Sequence, residues 1–240
     1  MLHDLTGRRF LVSGASSGIG EATARLLSGA GAAVAILARR ETELLRVANE
    51  IGAIAVPADV TDDEAVQSAV EMAADRLSGL DGLVNVAGIV HHGSPTTGEF
   101  ADWERMLRVN VLGLLSVTRA TMPYLLRHGH GDIVNIGSMS GIRRASVRST
   151  VYSGTKFAVH AISDGMREEL SPYGIRVSVI APSYVKTAIF DSVPDAHTRE
   201  RMRTTLQEQG VEPDIVARQV LNVVSQPSGV CIHSVVLSST

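Results

Sequence analysis

Short apolar runs alternate along the chain with amphipathic stretches long enough to form helices. The runs lie at residues 9–13, 33–38, 53–57, 82–86, 132–137, 176–181 and 230–237. Helices are predicted over residues 18–30, 102–128, 150–170 and 213–225, with one more ending at Gly52 and another capped by Thr61 or Asp62. Strands that are apolar throughout and alternate with helices form a parallel sheet covered on both faces. The pattern therefore predicts one doubly wound α/β domain over residues 1–240, with about seven parallel strands.

Residues 184–209 have the weakest pattern of the chain. A long irregular stretch inside a compact domain is commonly a functional loop. We expect this stretch to form a mobile lid over the carboxyl ends of the strands.

Composition and charge narrow the function classes. The formal net charge is −3 with both signs mixed along the chain, so we expect no nucleic-acid partner, and the charged residues 199–203 indicate a solvated helix face. A single cysteine, Cys231, excludes an internal disulfide framework and a cysteine-based metal site, and we expect no metal. The first residues lack a signal-peptide pattern, and the longest apolar run, residues 30–38, is too short to span a bilayer. We therefore expect a cytoplasmic protein without a membrane partner.

A glycine-rich turn joins the first predicted strand to the first helix, with Gly14, Gly18 and Gly20 in Gly-x-x-x-Gly-x-Gly spacing. Such a turn brings backbone N–H groups and a helix N-terminus close to a pyrophosphate, because side chains there would hold the phosphates away. Glycine turns also close ordinary strand–helix junctions. The position of this turn, on the first strand of an α/β chain, favours dinucleotide binding.

Two arginines, Arg39 and Arg40, follow the second predicted strand, where the adenine ribose of a dinucleotide would lie. NAD binders usually have a carboxylate there that accepts from the ribose 2′-hydroxyl, whereas guanidinium groups pair with a 2′-phosphate. Positive charge at a helix N-terminus opposes the helix dipole, so solvent exposure alone explains the pair less well. The sequence thus predicts NADP(H) as the cofactor.

Tyr152 and Lys156 are four positions apart in a predicted helix and therefore share one face. A phenol with a pKa of about 10 is a poor acid–base catalyst at neutral pH, and an ammonium about 4 Å away favours the phenolate by about 4 kcal/mol. We expect this pairing to bring the pKa of Tyr152 to about 7. Such pairs are common by chance, so this one needs independent support.

Further motifs supply that support. Asp59-Val60 follows the third predicted strand, Asn85-Val86-Ala87-Gly88 follows the fourth, Asn110 lies in the long helix and Ser138 ends the fifth strand. With these motifs the chain resembles the short-chain dehydrogenase/reductase family over essentially its whole length. The resemblance implies a Rossmann-like oxidoreductase that moves a hydride between NADP(H) and a carbonyl or alcohol group of a small molecule.

The resemblance also implies roles for individual residues. Tyr152 would be the general acid–base, and Ser138 would hydrogen-bond the substrate oxygen. Lys156 would lower the pKa of the tyrosine and hold the nicotinamide ribose, while Asn110 would keep a water in a proton relay behind it. The cofactor site would comprise Gly14, Ser16, Ser17, Gly18, Ile19, Gly20, Arg39, Arg40, Asp59, Val60, Asn85, Ala87, Gly88, Tyr152, Lys156, Pro182, Val185 and Thr187.

The sequence defines the substrate site less well, with candidates His91, Ser140, Ser183 and Tyr184. Ser183 replaces the glycine usual in the family, so we expect the backbone there to turn less freely. The short segment after the last predicted strand is similar to that of members acting on 3-hydroxy acids or small aldehydes. The resemblance implies a homo-oligomer, a tetramer or a dimer, built on the helices at residues 102–128 and 150–170.

Alternatives remain open. A non-catalytic NADP(H)-sensing protein can share the fold. Nucleotide-sugar epimerases share the tyrosine–lysine pair, but they usually carry extra C-terminal residues that this chain lacks. Arg143, Arg144 and Arg148 leave open a ketoreductase of carrier-bound acyl chains, because they could form a basic docking patch.

Overall fold

The computed structural model describes residues 4–143, 146–190 and 196–239. Its strands are β1 (Arg9–Ser13), β2 (Ala33–Ala38), β3 (Ile54–Pro57), β4 (Gly82–Asn85), β5 (Gly131–Ile136), β6 (Ile175–Pro182) and β7 (Ser234–Leu237). All pair in parallel, in the spatial order β3-β2-β1-β4-β5-β6-β7. The strand order reverses between β1 and β4, and such a switch point opens a crevice at the carboxyl ends of the strands.

Helices cover both faces of the sheet. They are α1 (Gly18–Gly29), α2 (Glu41–Ile51), α3 (Asp63–Leu77), α4 (Phe100–Leu107), α5 (Leu114–His128), α6 (Thr150–Leu170), α7 (Ala196–Gln209) and α8 (Pro213–Val224). Neighbouring strand residues point to opposite faces, so Phe10 joins the cluster under α1, α2 and α8, and Leu11 joins the one under α3, α5 and α6. The predicted doubly wound α/β domain is thus confirmed.

Short polar contacts fix the junctions between elements. The carboxylate of Asp62, not the hydroxyl of Thr61, caps α3 by accepting from the backbone N–H of Ala65 at 3.0 Å. The capping alternative left open by the sequence is therefore settled in favour of the aspartate.

Two buried carboxylates tie the amino ends of the central strands together. Asp81 accepts from Nε of Arg9 at 2.7 Å, and Asp132 lies 2.8 Å from both Arg8 and Arg176. Arg9 also holds the pKa of Asp81 below its usual value, although burial alone would raise it. These ion pairs lie at the opposite end of the sheet from the crevice.

The long helix is not one uninterrupted α-helix, because a π-helical turn at Arg108–Gly113 separates α4 from α5. The whole segment, Phe100–His128, is long and apolar enough by composition to cross a membrane. The apolar run at residues 30–38 is too short to do so. Val117, Ala120 and Leu125 of α5 are buried in the core beside the sheet. Burial of this kind is typical of a core helix in a globular fold.

Two predictions about the C-terminal third are wrong. Residues 196–209, predicted to be irregular, form α7. Among its described side chains only Met202 and Leu206 are buried, too few apolar positions to give a helical pattern. Residues 191–195 lie outside the described residues, as does Arg144. The last strand begins at Ser234 and not at residue 230, and Val230 is exposed.

Candidate active site

Two cavities open at the carboxyl ends of the strands. The glycine-turn cavity, of about 300 Å³, is bordered by Gly14, Arg39 and Asp59. The tyrosine cavity, of about 810 Å³, is bordered by Ser138 and Tyr152. The two share lining residues, namely Ile19, Val86, Gly88, Ile89, Thr187 and Ile189, and therefore form one continuous groove.

The glycine turn is shaped for a ligand that approaches the backbone. Gly14 has φ 69°, and a Cβ there would lie 2.7 Å from the backbone nitrogen of Ala87. Gly18 has φ 57°, and its Cβ would lie 2.9 Å from the Thr187 methyl group. A Cβ at Gly20 would collide with the carbonyl oxygen of Gly14. Any side chain at these positions would distort the turn. With glycine there, the backbone N–H groups of the turn stay open to an anion.

Arg40 extends across the same turn. Its Nη2 donates to the hydroxyl oxygens of Ser17 at 2.6 Å and Ser16 at 3.0 Å. The hydroxyl of Ser17 therefore binds this arginine and does not cap α1. The N-terminal N–H groups of α1 stay available to a phosphate, as the pyrophosphate of a dinucleotide requires.

Arg39 has a different partner. Its Nη1 lies 3.2 Å from Oδ2 of Asp59, and both side chains are partly exposed. Burial acts to raise the pKa of Asp59, but hydrogen bonds from Thr61 and Arg39 outweigh it and the pKa is lowered. Asp59 is therefore a carboxylate at neutral pH, and its negative charge already offsets the positive charge of Arg39.

Tyr152 lines the tyrosine cavity with its phenol hydrogen-bonded to Ser138. Burial raises the pKa of Tyr152 to about 12, against a smaller lowering by that hydrogen bond. The Oγ of Ser138 accepts from the backbone N–H of Ser140 at 3.1 Å, so its own proton is free to be donated. At neutral pH both hydroxyl groups carry protons at the cavity wall.

Lys156 is buried beside them. Its Nζ donates to the carbonyl oxygen of Ile136 at 2.8 Å, and burial lowers its pKa to about 8. The expectation that Lys156 brings the pKa of Tyr152 to about 7 is wrong for this structure, because burial raises that pKa and the contact that opposes burial is the hydrogen bond with Ser138, not Lys156. The ammonium is directed to the end of β5, next to Gly88, where a Cβ would come within 3.8 Å of Nζ.

Asn110 lies in the π-helical turn and lines neither cavity. Its Oδ1 accepts from the N–H of Ile89 at 2.8 Å, and its Nδ2 donates to the carbonyl of Ile89 at 2.9 Å and to Oγ1 of Thr155 at 3.1 Å. Asn110 thus joins the segment after β4 to α6 next to Lys156. Helical turns of this type often occur at functional sites. The water relay behind Lys156 stays a prediction.

Most of the other predicted site residues meet in the groove. The glycine-turn cavity is lined by Gly14, Ser16, Ser17, Gly18, Ile19, Arg39, Arg40, Asp59, Val60, Ala87, Gly88 and Thr187. The tyrosine cavity is lined by Ser138, Ser140, Tyr152, Lys156, Pro182, Ser183, Tyr184 and Val185. The backbone at Ser183 is not in the left-handed region, and its N–H donates to Leu237 at 2.8 Å, so the glycine replacement causes no strain there.

Besides Asn110, three predicted residues lie outside both cavities. Gly20 packs beneath Gly14, and the side chain of Asn85 instead donates to Thr118 and Asn135 inside the core. His91 was a candidate for substrate contact, but its ring is buried with Nδ1 3.4 Å from Oδ1 of Asp102. Its neighbour His92 lines the tyrosine cavity in its place. Which of two adjacent histidines points inward depends on loop conformation and cannot be deduced from the sequence.

Sequence reasoning also missed Arg201 and Met202, which line the tyrosine cavity from α7. Residues 199–203 were expected to be a solvated helix face, and the one signal against this was an apolar residue, Met202, inside that charged run. Arg143 and Arg148, which the sequence suggested as part of a docking patch, line the same cavity.

The class defined by this fold and groove is a dinucleotide-binding α/β protein with hydroxyl and amine groups poised beside the nucleotide site. The sequence profile of the short chain dehydrogenase family matches residues 8–198. The chain therefore belongs to the short-chain dehydrogenase family and is a nicotinamide-dependent oxidoreductase.

Individual relatives support this family assignment. An uncharacterized oxidoreductase of Staphylococcus aureus (strain MRSA252) is 35% identical over 234 residues, which are 96% of each chain. A closed form of serine dehydrogenase complexed with NADP⁺ is similar in structure, with a TM-score of 0.89 and 28% identity, over 96% of this chain and 94% of that one. A 3-ketoacyl-(acyl-carrier-protein) reductase from Brucella melitensis complexed with NADH has a TM-score of 0.87 and 27% identity, over 98% of each chain.

Proposed function

We propose that this chain is an NADP(H)-dependent reductase of small carbonyl compounds, running reversibly as an alcohol dehydrogenase, with Tyr152 as the general acid–base. The observation that supports it best is the placement of Tyr152, Ser138 and Lys156 in one cavity continuous with the glycine turn. A proton donor and a nucleotide site are thus adjacent, as hydride transfer to a carbonyl requires.

The residues of the tyrosine cavity account for the proton. When bound, the nicotinamide supplies or accepts the hydride. The phenol of Tyr152, whose pKa is about 12, holds its proton at neutral pH and can donate it to the substrate oxygen. Ser138 donates a second hydrogen bond to that oxygen. The ammonium of Lys156 offsets the negative charge that Tyr152 acquires as its proton leaves.

The preference for NADP(H) rests on the two arginines. In the part of the chain that the structure describes, Arg40 is hydrogen-bonded only to serine hydroxyls at the turn, so it can exchange these neutral partners for a 2′-phosphate. Arg39 is already paired with the carboxylate of Asp59, so less of its charge is available to a 2′-phosphate. Serine dehydrogenase was solved with NADP⁺ and the Brucella reductase with NADH, so family membership alone does not decide the cofactor.

A homo-oligomer is proposed on a separate observation. The helices α4 to α6, with the turn between α4 and α5, expose the apolar side chains of Leu107, Leu112, Leu115 and Phe157. Clusters of exposed apolar side chains on one set of helices indicate a protein interface. A tetramer or dimer formed through these helices would bury them. The cytoplasmic location stays a prediction.

A ketoreductase of carrier-bound acyl chains is the second candidate. Arg143 and Arg148 lie exposed at the tyrosine cavity, where an acidic carrier could dock. The Brucella reductase, by its name, acts on such substrates.

The experiment that tests the proposed function measures NADPH oxidation with aldehydes, oxo acids and acyl thioesters. We expect turnover of at least one class of free carbonyl compound, with NADH a poorer donor. NADPH binding without oxidation by any compound would favour the non-catalytic, NADP(H)-sensing alternative.

A further inference from the structure

The tyrosine cavity carries three arginines and, among its described lining residues, no carboxylate. Arg143 and Arg148 come from the segment between β5 and α6, and Arg201 comes from α7 on another wall. Cationic side chains that converge on one cavity raise the local concentration of anions and hold them there.

The positive charge acts inside the cavity as well as at its mouth. His92 is half-buried and its ring lies 5.6 Å from that of Phe190. Burial lowers the pKa of His92, and the charges of Arg201 and Arg148 lower it further. Both guanidinium groups are therefore close enough to act on a ring inside the cavity, and the ring is neutral at pH 7.

Several other arginines of the fold have acidic partners. Arg9 pairs with Asp81, Arg39 with Asp59 and Arg176 with Asp132. Within the described parts of the chain, neither Arg148 nor Arg201 forms such an ion pair. The Nε2 of His92 is likewise buried without a hydrogen-bond partner among the described residues. Buried polar atoms are normally hydrogen-bonded, so this ring nitrogen is available to a polar group of a ligand in the cavity.

The size of the cavity limits the ligand. The tyrosine cavity, of about 810 Å³, includes the space beside the residues that it shares with the glycine-turn cavity. The nicotinamide half of the cofactor would lie there. Pockets of about 300–1,000 Å³ hold one small molecule, so the cofactor leaves room for only a short substrate.

We infer that the substrate is a short oxo or hydroxy acid whose carboxylate is held by Arg148 and Arg201 beside His92, while its reacting oxygen meets Tyr152. This substrate class rests on the proposed function. In the reduction, the carbonyl carbon gains the hydride of NADPH and its oxygen gains the proton of Tyr152, which regains a proton from solvent. The products are the hydroxy acid and NADP⁺, and the carboxylate is unchanged.

The test compares matched substrates that differ in charge. Acetoacetate is compared with its methyl ester, and succinic semialdehyde with butanal, by kcat/KM for NADPH oxidation. The variants are Arg148→Gln, Arg201→Gln and the double variant. Arg218→Gln, on the exposed face of α8, is the control. Comparing each acid with its neutral partner removes differences in folding and in cofactor binding.

We expect each single variant to lose about tenfold in kcat/KM for the acid, which corresponds to about 1.4 kcal/mol, and the double variant to lose about a hundredfold. The neutral partner should change by less than about threefold, and the control should not change. Wild-type selectivity for the acid should also fall as salt rises, because screening weakens the contact.

The outcomes separate this inference from the proposed function. Turnover of the neutral partners with no loss on the acids in the double variant would overturn the carboxylate site alone. Preferential turnover of a neutral acyl thioester, free or carrier-bound, would do the same and support carrier docking. A phosphate-bearing ketone that outperforms every carboxylate would also overturn it.

If no carbonyl compound is reduced, the proposed function fails. The carboxylate site can still be tested by measuring whether a carboxylate binds. Butyrate, a non-reacting carboxylate, should raise the Tm of the wild-type NADPH complex and not that of the double variant. An equal shift in both proteins would overturn the inference.

Discussion

The Nζ of Lys156 lies 2.8 Å from the carbonyl oxygen of Ile136, inside the fold and at the end of β5. One neutral acceptor compensates only part of the hydration that a buried ammonium loses, so its pKa falls to about 8. At neutral pH the buried lysine therefore lowers the stability of the folded protein.

Replacing Lys156 with methionine should therefore stabilise the protein without ligand while impairing turnover. The pKa falls from 10.5 to about 8, and one pKa unit is about 1.4 kcal/mol, so we expect a gain of about 1–3 kcal/mol at pH 7 after loss of the hydrogen bond. The free energy of unfolding, measured by urea denaturation, checks this. Lys186→Met, at a half-exposed lysine paired with Glu212, is the control and should give no gain.

The stability difference between Lys156→Met and the wild type should depend on pH. Between pH 8 and 10.5 the unfolded chain still binds the proton that the folded protein has lost, so stability due to this group rises with pH. The advantage of Lys156→Met should be full below pH 8 and should disappear as the pH approaches 10.5. An advantage that is the same at both ends of this range would contradict the lowered pKa.

The buried ion pair of Asp81 and Arg9 should have the opposite dependence. The pKa of Asp81 is lowered in the fold, so its contribution is present at neutral pH and is lost as the pH falls below 3.8 and through the folded value. Asp81→Asn should cost an amount at the low end of about 3–5 kcal/mol at pH 7, because Arg9 retains some contact with water. Urea denaturation at pH 7 and at low pH measures it, and a deficit that does not shrink in acid would refute the assignment.

Assembly can be tested through Leu112, which is 58% exposed in the π-helical turn between α4 and α5. Leu112→Glu should place a charge in the proposed helical interface and shift the protein to a smaller species. Light scattering after size-exclusion chromatography measures the mass. Leu45→Glu, at an equally apolar exposed position on α2, is the control. A wild-type monomer would contradict the proposed interface.

Cofactor choice should depend more on Arg40 than on Arg39. One charge-assisted contact contributes about 1.5–3 kcal/mol, so Arg40→Ala should reduce the preference for NADPH over NADH in kcat/KM by about 10- to 150-fold. Arg39→Ala should have the smaller effect, because it removes an arginine already paired with Asp59. Equal use of NADH and NADPH by the wild-type enzyme would show that neither arginine binds a 2′-phosphate.

The parts of the fold that repeat along the chain could be predicted from the sequence. Buried parallel strands are apolar throughout, and the spacing of Tyr152 and Lys156 is fixed by helix geometry, so both were predictable. The pKa of Tyr152 was not, because it depends on burial by side chains distant in sequence. Arg201 was missed for a related reason, since only two of the described side chains of α7 are buried and its charged residues look solvated.

The central claim, that Tyr152 exchanges the proton with the substrate, is tested most directly by the kcat of Tyr152→Phe with the best carbonyl substrate, alongside its Kd for NADPH. Tyr173→Phe, at an exposed tyrosine, is the control. General acid–base catalysis contributes about 10²–10⁴-fold, so we predict a loss of that size in kcat with NADPH affinity unchanged. A variant that binds NADPH normally and keeps more than about a tenth of the wild-type kcat would contradict the claim.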